Sequence, residues 1–459
     1  MSTQVLSAST NRDAYLAALL DGVSRSPLTP LNKGGTEDAN EDWLQELRDR
    51  SSALLLEQSF PTAKDEAWRF TDLSPMLQVS FQPAETSNIA SLPASGITPL
   101  ILSEAAESRL VFVNGVYAPQ LSSTAKIPSP IFAGNLAQLP ENYRSHLSHY
   151  LGKQPGATDV FTALNTAGFT DVAVVWIPKN QVLETPIHLL FISTLNDYAS
   201  ISQPRCLVVA ETNSKVTLVE DYLTIGEWCG SKSNPYCVNT VTEIWAEENA
   251  QITHHRVQRD SNVAFHIGKT AVSQARYSRY TCNAISLGAQ ISRHNLDIFQ
   301  TGEQTETILN GLMMIAGEQL SDIHTQIILN YPHSTTRQLQ KNIVSDRAHA
   351  VFNGRVFVGK SAQLTDAGQL NRNLLLSPKA RIDTKPQLEI IADNVKCSHG
   401  ATVSQLDDEE VFYLQSRGLD KASAHNLLVD AFAGEIINLL PLHSIQTMLA
   451  QCVACRTIE

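Results

Sequence analysis

The sequence predicts a mainly β chain: a long stack of β-coils between a helical N-terminal region and a helical C-terminal tail. Three observations carry this. Short β-rich runs such as "TDVAVVWIP", "IHLLFIST", "RCLVVAET" and "KVTLVEDYL" continue, with turns but no helical period, from about residue 170 to about 404. Helical patterns are confined to the two ends. Within the β region a small residue repeatedly opens an apolar–polar strand: Ala250-Gln-Ile-Thr253, Ala289-Gln-Ile-Ser292, Ala362-Gln-Leu-Thr365 and Ala380-Arg-Ile-Asp383. These echoes fall near multiples of about 18 to 20 residues, the length then expected for one coil that buries its inward side chains on the next. Alternating strands of a sandwich or barrel would give the same echo, and the pattern alone does not separate them. The expected boundaries are a mostly helical domain over 1–168, a β-helix core over 169–405 and a helical domain over 406–459.

The ends read as follows. "TNRDAYLAALLDGV" places Ala14, Leu16, Leu19 and Leu20 at helical spacing behind an Asn11 or Asp13 cap. "NEDWLQELRDRSSALLLEQS" has acids in its first turn and Arg48 and Arg50 later, which suits the helix dipole. "GGTEDAN" at 34–40 links the two. Residues 83–99 are polar, Pro-bearing and aperiodic, hence a loop, and 139–168 read as helix. In the tail, "DDEEVFYLQSRG" starts acidic and ends on Gly418, a helix stop. The next helix sets Ala424, Leu427, Leu428, Ala431, Ile436 and Leu439 on one stripe.

Composition narrows the function. The chain has 459 residues and a formal charge of -12, which argues against a nucleic-acid groove. It has no apolar run of about 18 residues that would span a bilayer. Polar residues and Arg12 stand where a signal peptide needs an apolar core, so a cytoplasmic protein is expected. Seven cysteines, an odd number in a long chain, suit a reducing compartment.

By letter, the strongest motif is Gly354-Arg-Val-Phe-Val-Gly359-Lys360-Ser361, which spells a phosphate-binding loop. A true P-loop needs a flexible turn between its glycines and a helix after them. Here Arg355 to Val358 read as strand, and the next residues repeat the Ala-Gln-Leu-Thr echo. The expectation is a coil of the β-stack, not an ATPase.

The densest chemistry is "LEIIADNVKCSHGAT" at 388–402. Strand alternation puts Val395, Cys397 and His399 on one side and Lys396 and Ser398 on the other. A thiol and an imidazole side by side suit zinc or iron–sulfur species, or a nucleophile with its base; a small buried Cys beside a surface His spells the same letters. Two ligands do not close a metal site, so a metal here would need a partner surface. Elsewhere, His254 and His255 in "THHR" face opposite sides of a strand. His324 and His333 are expected as turn residues. Asp383 and Asp393, expected on neighbouring coils, offer the alternative function of a β-helix carbohydrate-active enzyme. Cys452 and Cys455 form a C-x-x-C with no second pair.

Residues 372–418, "RNLLLSPKARIDTKPQLEIIADNVKCSHGATVSQLDDEEVFYLQSRG", closely resemble the C-terminal core of the SufB/SufD family of iron–sulfur cluster assembly scaffolds. "DEAWRFTDL" at 65–73 resembles that family's N-terminal E-x-W-[RK]-[FY]-T-D-L element, and "VFTALNTAGFTDVAVVWIPKN" and "GRVFVGKSAQLTDAGQLNRN" match family stretches too. "K-C-S-H-G-A-T" at 396–402, with no Cys before 206, is similar to the SufD branch rather than SufB. The resemblance implies a right-handed parallel β-helix flanked by helical domains, in a complex with a SufB-like paralogue and a SufC-like ATPase docked on the helices at 407–440. It implies a subunit that is not itself an enzyme and holds no permanent cofactor. A transient iron–sulfur cluster would form at the SufB–SufD interface, where His399 shares the metal with a partner Cys and Cys397 matches the neighbouring family Cys. It assigns no role to Cys452 or Cys455. A β-helix edge that pairs with a paralogue can also pair with itself, so a homodimer is open to the chain alone, and the sequence does not choose between the two states.

Overall fold

The computed structural model describes residues 8–29, 38–86, 89, 92–225 and 234–457. Its centre is a parallel β-solenoid of about seven turns. Successive strands alternate between two sheets that face each other. The first sheet climbs through Ala173–Ile177, Arg205–Ala210, Tyr236–Ala246, Ala264–Gln274, Ile291–Gln300, Leu320–Leu329, His349–Val358 and Arg381–Ile390. The second climbs through Ile187–Thr194, Lys215–Ile225, Gln251–Arg259, Arg279–Ser286, Glu306–Ile315, Thr335–Val344, Asp366–Leu375 and Lys396–Ser404. The sandwich and barrel alternatives fall, because each strand pairs in parallel with the strand two places on.

The coil is longer than expected. Phe265 pairs with Ile291, Leu320 with His349 and Lys215 with Gln251, so one turn takes 26 to 36 residues. The echo has a different cause. Ala250 and Ala362 open strands of the second sheet, whereas Ala289 and Ala380 open strands of the first. The motif marks entry into any strand, at half-turn offsets. Ala250, Ala289 and Ala362 are fully buried at these corners, where a larger side chain would not fit. At one corner Asn180, Asn213 and Asn249 all adopt left-handed φ near 60°. Their amides form a ladder, Asn249 donating to Asn213 at 2.9 Å and Asn213 to Asn180 at 2.8 Å. Asn tolerates that conformation and its amide repeats from coil to coil.

Alternation lines the lumen with every second residue. Val208, Ile244, Val272, Ile298, Ile327 and Val356 stack as one buried column. The middle coils bury charge in the same lumen. The Glu220 carboxylate accepts from Thr242 Oγ1 at 2.5 Å and lies 3.2 Å from His254 Nε2. His254 Nδ1 meets the Tyr280 hydroxyl at 2.9 Å, and Asp260 lies 2.8 Å from His266 Nδ1. Such charges survive burial because each has an opposite or a donor beside it. Burial alone would lower His254, but the Glu220 charge and the Cys282 side chain outweigh it and raise the imidazole to about 10. His255 points to the opposite side of the strand. Burial, helped by the His254 charge, pushes it down to about 3.

Helices cover the outer faces. Helices α1 (Ala8–Ser24), α2 (Asp38–Leu56) and α3 (Val160–Gly168) pack at the first sheet; Leu16, Leu19, Leu20 and Val23 of α1 meet Phe161 and Leu164 of α3 and Phe265 and Ile267 of the sheet. The N-terminal region is less helical than expected. Between α2 and α3 it is largely irregular. It also contributes Arg109–Val113, parallel to Ile187–Thr194, and Phe132–Asn135, antiparallel to Ala173–Ile177. These strands begin the sheets, so the helical reading of 139–168 holds in full only for α3. Helices α4 (Asp408–Ser416), α5 (Lys421–Ile437) and α6 (His443–Thr457) follow the solenoid, and Gly418 ends α4 in a left-handed turn, φ 99°. α5 buries Val429, Ala433, Ile436 and Ile437 against Ile285, Leu312 and Ile343 of the second sheet, and Ala424 is buried as well. The expected stripe is therefore turned: Leu427, Ala431 and Leu439 face outward. Both sides of α5 are apolar, and the sheet, not the helix, decides which is buried. Each aliphatic side chain so buried contributes roughly 1.5–3 kcal/mol.

A pH dependence follows from the two histidines. His254 titrates higher folded than unfolded, so its contribution is full below about pH 6.5 and is lost as pH rises toward about 10. His255 titrates lower folded, so unfolding takes up a proton between about pH 6.5 and 3, and stability falls with acid. Replacing His255 by Asn should flatten the acid limb by up to about 1.4 kcal/mol per pH unit. Urea unfolding from pH 4 to 6 measures this; an unchanged slope would contradict the assignment.

Candidate functional site

The solenoid ends in an open coil. Arg381–Ile390 pairs only with His349–Val358, and Lys396–Ser404 only with Asp366–Leu375, so among the described residues no strand covers their outer edges. Such an edge presents unpaired N–H and C=O groups in a row. Beside it Ile390, Ile391 and Val403 are exposed, Val403 by 52%. Charged pairs line the same coil: Arg355 grips Glu389 through Nε and Nη2 at 2.8 and 2.6 Å, and Asp383 takes Arg381 Nε and His349 Nε2, each at 2.7 Å.

On this coil Cys397 pairs in register with Ala367 and His399 with Gln369. Ala367 and Gln369 are buried lumenal residues, so Cys397 and His399 belong to the lumenal side at the open end. Val395 and Cys397 pack against the end of the apolar column. The Cys397 thiol is raised by burial, against a backbone hydrogen bond at Ala367, with the Asp366 charge adding to the rise. Held protonated, it is a poor nucleophile and ligand in the chain as it stands. His399 is exposed, one coil above Gln369. The arrangement therefore presents one free imidazole at an uncovered sheet end, with its neighbouring thiol tucked inward. It can donate one nitrogen to a metal completed from another surface.

Residues 191–432 match the family described as the SUF system FeS cluster assembly SufBD core domain, and residues 32–189 the SufBD protein N-terminal region. The chain belongs to the SufBD family. An iron–sulfur cluster assembly SufBD family protein of Synechocystis sp. is 50% identical over 92% of this chain and 93% of its own length. Protein ABCI7, chloroplastic, of Arabidopsis thaliana is 34% identical, covering 94% and 87%. The iron-sulfur cluster assembly protein SufD of Escherichia coli is 29% identical, covering 84% and 86%.

The element at 65–73 has a packing role in this SufBD chain. Trp68 stacks on Phe161 of α3, and the Arg293 guanidinium sits 3.9 Å over the indole. Arg293 Nη1 also donates to Ala67 O at 2.7 Å, and Thr71 Oγ1 to buried Asp322 at 2.5 Å. The segment is thereby pinned across the first sheet.

Other sequence candidates come apart. Asp383 and Asp393 sit on one coil, not neighbouring ones, Asp383 near the start of Arg381–Ile390 and Asp393 in the turn beyond its end. Roughly 20 Å of strand separates them, too far for paired carboxylates of a glycosidase. His324 lies mid-strand and pairs with Asp322 at 2.9 Å rather than capping a turn; His333 does occupy a turn, with φ 62°. The side chains of Cys452 and Cys455 lie outside the described residues. Sequence reasoning missed the lumenal polar groups, Glu220, His266 and Gln369 among them. Their signal was present as polar residues at alternate strand positions, as in Gln369, Asn371 and Asn373.

The P-loop letters belong to the coil below the site. Arg355 to Val358 are strand; Gly359 N–H donates to Leu329 O at 2.8 Å and Ser361 Oγ to Asn330 O at 2.6 Å. Those donors are spent within the solenoid, and another strand follows instead of a helix. Gly354 is glycine for space: a Cβ there would lie 2.3 Å from Gln369 Nε2 and 2.7 Å from the Phe352 ring. Gly354→Ala should destabilise by about 1–3 kcal/mol, whereas Lys360→Ala, on an exposed turn, should change stability by less than about 0.5 kcal/mol. Thermal melts of the two variants check the ranking; the reverse order would contradict the close packing assigned to Gly354.

Proposed function

We propose that this chain is the SufD-type scaffold subunit of a cytoplasmic SUF complex, itself without catalytic turnover. Its open coil joins a SufB-like paralogue, and the nascent iron–sulfur cluster, the complex's product, forms at that junction with His399 and a partner thiolate as ligands. The observation that carries this reading is His399 at an uncovered parallel edge flanked by exposed Ile390, Ile391 and Val403. An edge of that kind is completed by another parallel coil, and a paralogue with the same fold supplies one. The family of iron–sulfur assembly proteins agrees with such a role. A SufC-like ATPase would dock on α4 and α5, where Phe412 (72% exposed), Tyr413 and Leu427 face outward. Unpartnered apolar side chains grouped on short helices suit a protein interface.

Neutral imidazole binds iron at ordinary pH and leaves more readily than thiolate, which suits a scaffold that must release its cluster. Co-expression with a SufB-like and a SufC-like chain should yield one heteromeric complex by light scattering. His399→Ala should leave that complex assembled and slow cluster formation by about 10-fold or more. Wild-type rates in an assembled His399→Ala complex would defeat the reading.

A further inference from the structure

The lumen of the last coils carries a string of amides that stops one residue short of His399. Gln338 Nε2 donates to Thr325 Oγ1 at 2.8 Å, and Gln369 Nε2 donates to Gln338 Oε1 at 2.8 Å. Gln369 thus spends its amide nitrogen on the coil beneath. Its Oε1 is buried and has no hydrogen-bond partner among the described residues. Its lumenal neighbours differ. Gln340 donates to Asn342 at 2.8 Å, Asn342 to Asn373 at 2.7 Å and Asn373 to Asn371 at 2.6 Å. Among these lumenal amides only Gln369 keeps a buried oxygen without a donor. The next coil places His399 opposite Gln369 in register.

A second feature holds this amide where it is. Gly354 faces the same lumen, and its missing Cβ leaves the space that the Gln369 amide occupies. The solenoid therefore contains a clearance for Gln369, an anchor for its nitrogen and an unmet need at its oxygen. An orphaned buried acceptor is costly, and a nearby N–H relieves it.

We propose that Gln369 is a positioning residue for His399: its Oε1 accepts one ring N–H of the neutral imidazole, so that the other ring nitrogen keeps its lone pair toward the junction. His399 stands opposite Gln369 in register one coil on, so the movement this hydrogen bond asks for is a turn of the exposed His399 side chain toward the lumen. The hydrogen bond selects the tautomer and stiffens the ring, as outer partners of metal-binding histidines do. Thr325, Gln338 and Gln369 then form a relay over two coils that ends at the ligand on the third. The proposal deepens the reading of His399 as a cluster ligand and rests on it.

The test uses the full chain with ¹⁵N-labelled histidine, the His399 signals being identified by their loss in His399→Ala. Wild type should show one dominant His399 tautomer above the imidazole pKa. Gln369→Leu should convert it to a mixture, and Gln369→Glu, which gives up the donation to Gln338 Oε1 but keeps an acceptor facing His399, should restore the single tautomer. In the assembled complex, cluster formation should fall about 10-fold or more in Gln369→Leu and recover in Gln369→Glu. An unchanged tautomer in Gln369→Leu overturns the proposal, even if assembly slows, because a packing defect alone would do that. If His399→Ala builds clusters at the wild-type rate while Gln369→Leu still shifts the tautomer, the ligand reading fails and the hydrogen bond stands. The Glu variant keeps the test open should the Leu variant fold poorly.

Discussion

Each coil of this molecule is held by the backbone ladder of the coil before it, in parallel register from the first coils to Arg381–Ile390 and Lys396–Ser404. Everything else depends on that stacking. Register carries a side chain's neighbours upward: what lies inside at one level must fit what lies inside at the next. Small alanines open the strands, asparagines repeat at one corner, and aliphatic residues stack as one column because identical positions are superposed about 4.8 Å apart.

The same constraint explains the polar lumen. A solenoid this narrow cannot solvate an inward polar group, so each has to find its partner in its own coil or the next. Glu220, Thr242, His254 and Tyr280 do so in the middle, and Thr325, Gln338 and Gln369 do so near the end. At the last coil the ladder runs out. The backbone edge, the apolar rim and the Gln369 oxygen are all left waiting for something on one side. The end of the stack is left open for the same reason that its middle is closed.

Flanking helices resolve the other two faces of the problem. The outer faces of both sheets are apolar in places, and α1, α3, α5 and α6 cover them. The segment with Trp68 is fastened by a cation–π contact and buried hydrogen bonds, so it grips the first sheet without adding a strand. α4 and the outward side of α5 remain as apolar surface that no other described residue of the chain covers.

The sequence by itself determined the β-coil texture, the terminal helices and the Gly418 stop, and the strand character of Arg355 to Val358, because these rest on local periods and turn chemistry; the expected Asn11 or Asp13 cap instead lies inside α1, which starts at Ala8. It also placed Cys397 and His399 on one side of a strand, since alternation is a local rule. Tertiary structure decided the length of the coil, because an echo at strand entries is blind to which sheet the strand joins. It decided which side of α5 is buried, because both sides are apolar and only the sheet chooses. It separated Asp383 from Asp393, turned Cys397 inward and left His399 exposed. It also set Gly354, Gln369 and His399 in one lumenal neighbourhood, although they are 15 and 30 residues apart in the chain. Parallel stacking brings together residues about one coil apart, and no local pattern states how long that coil is.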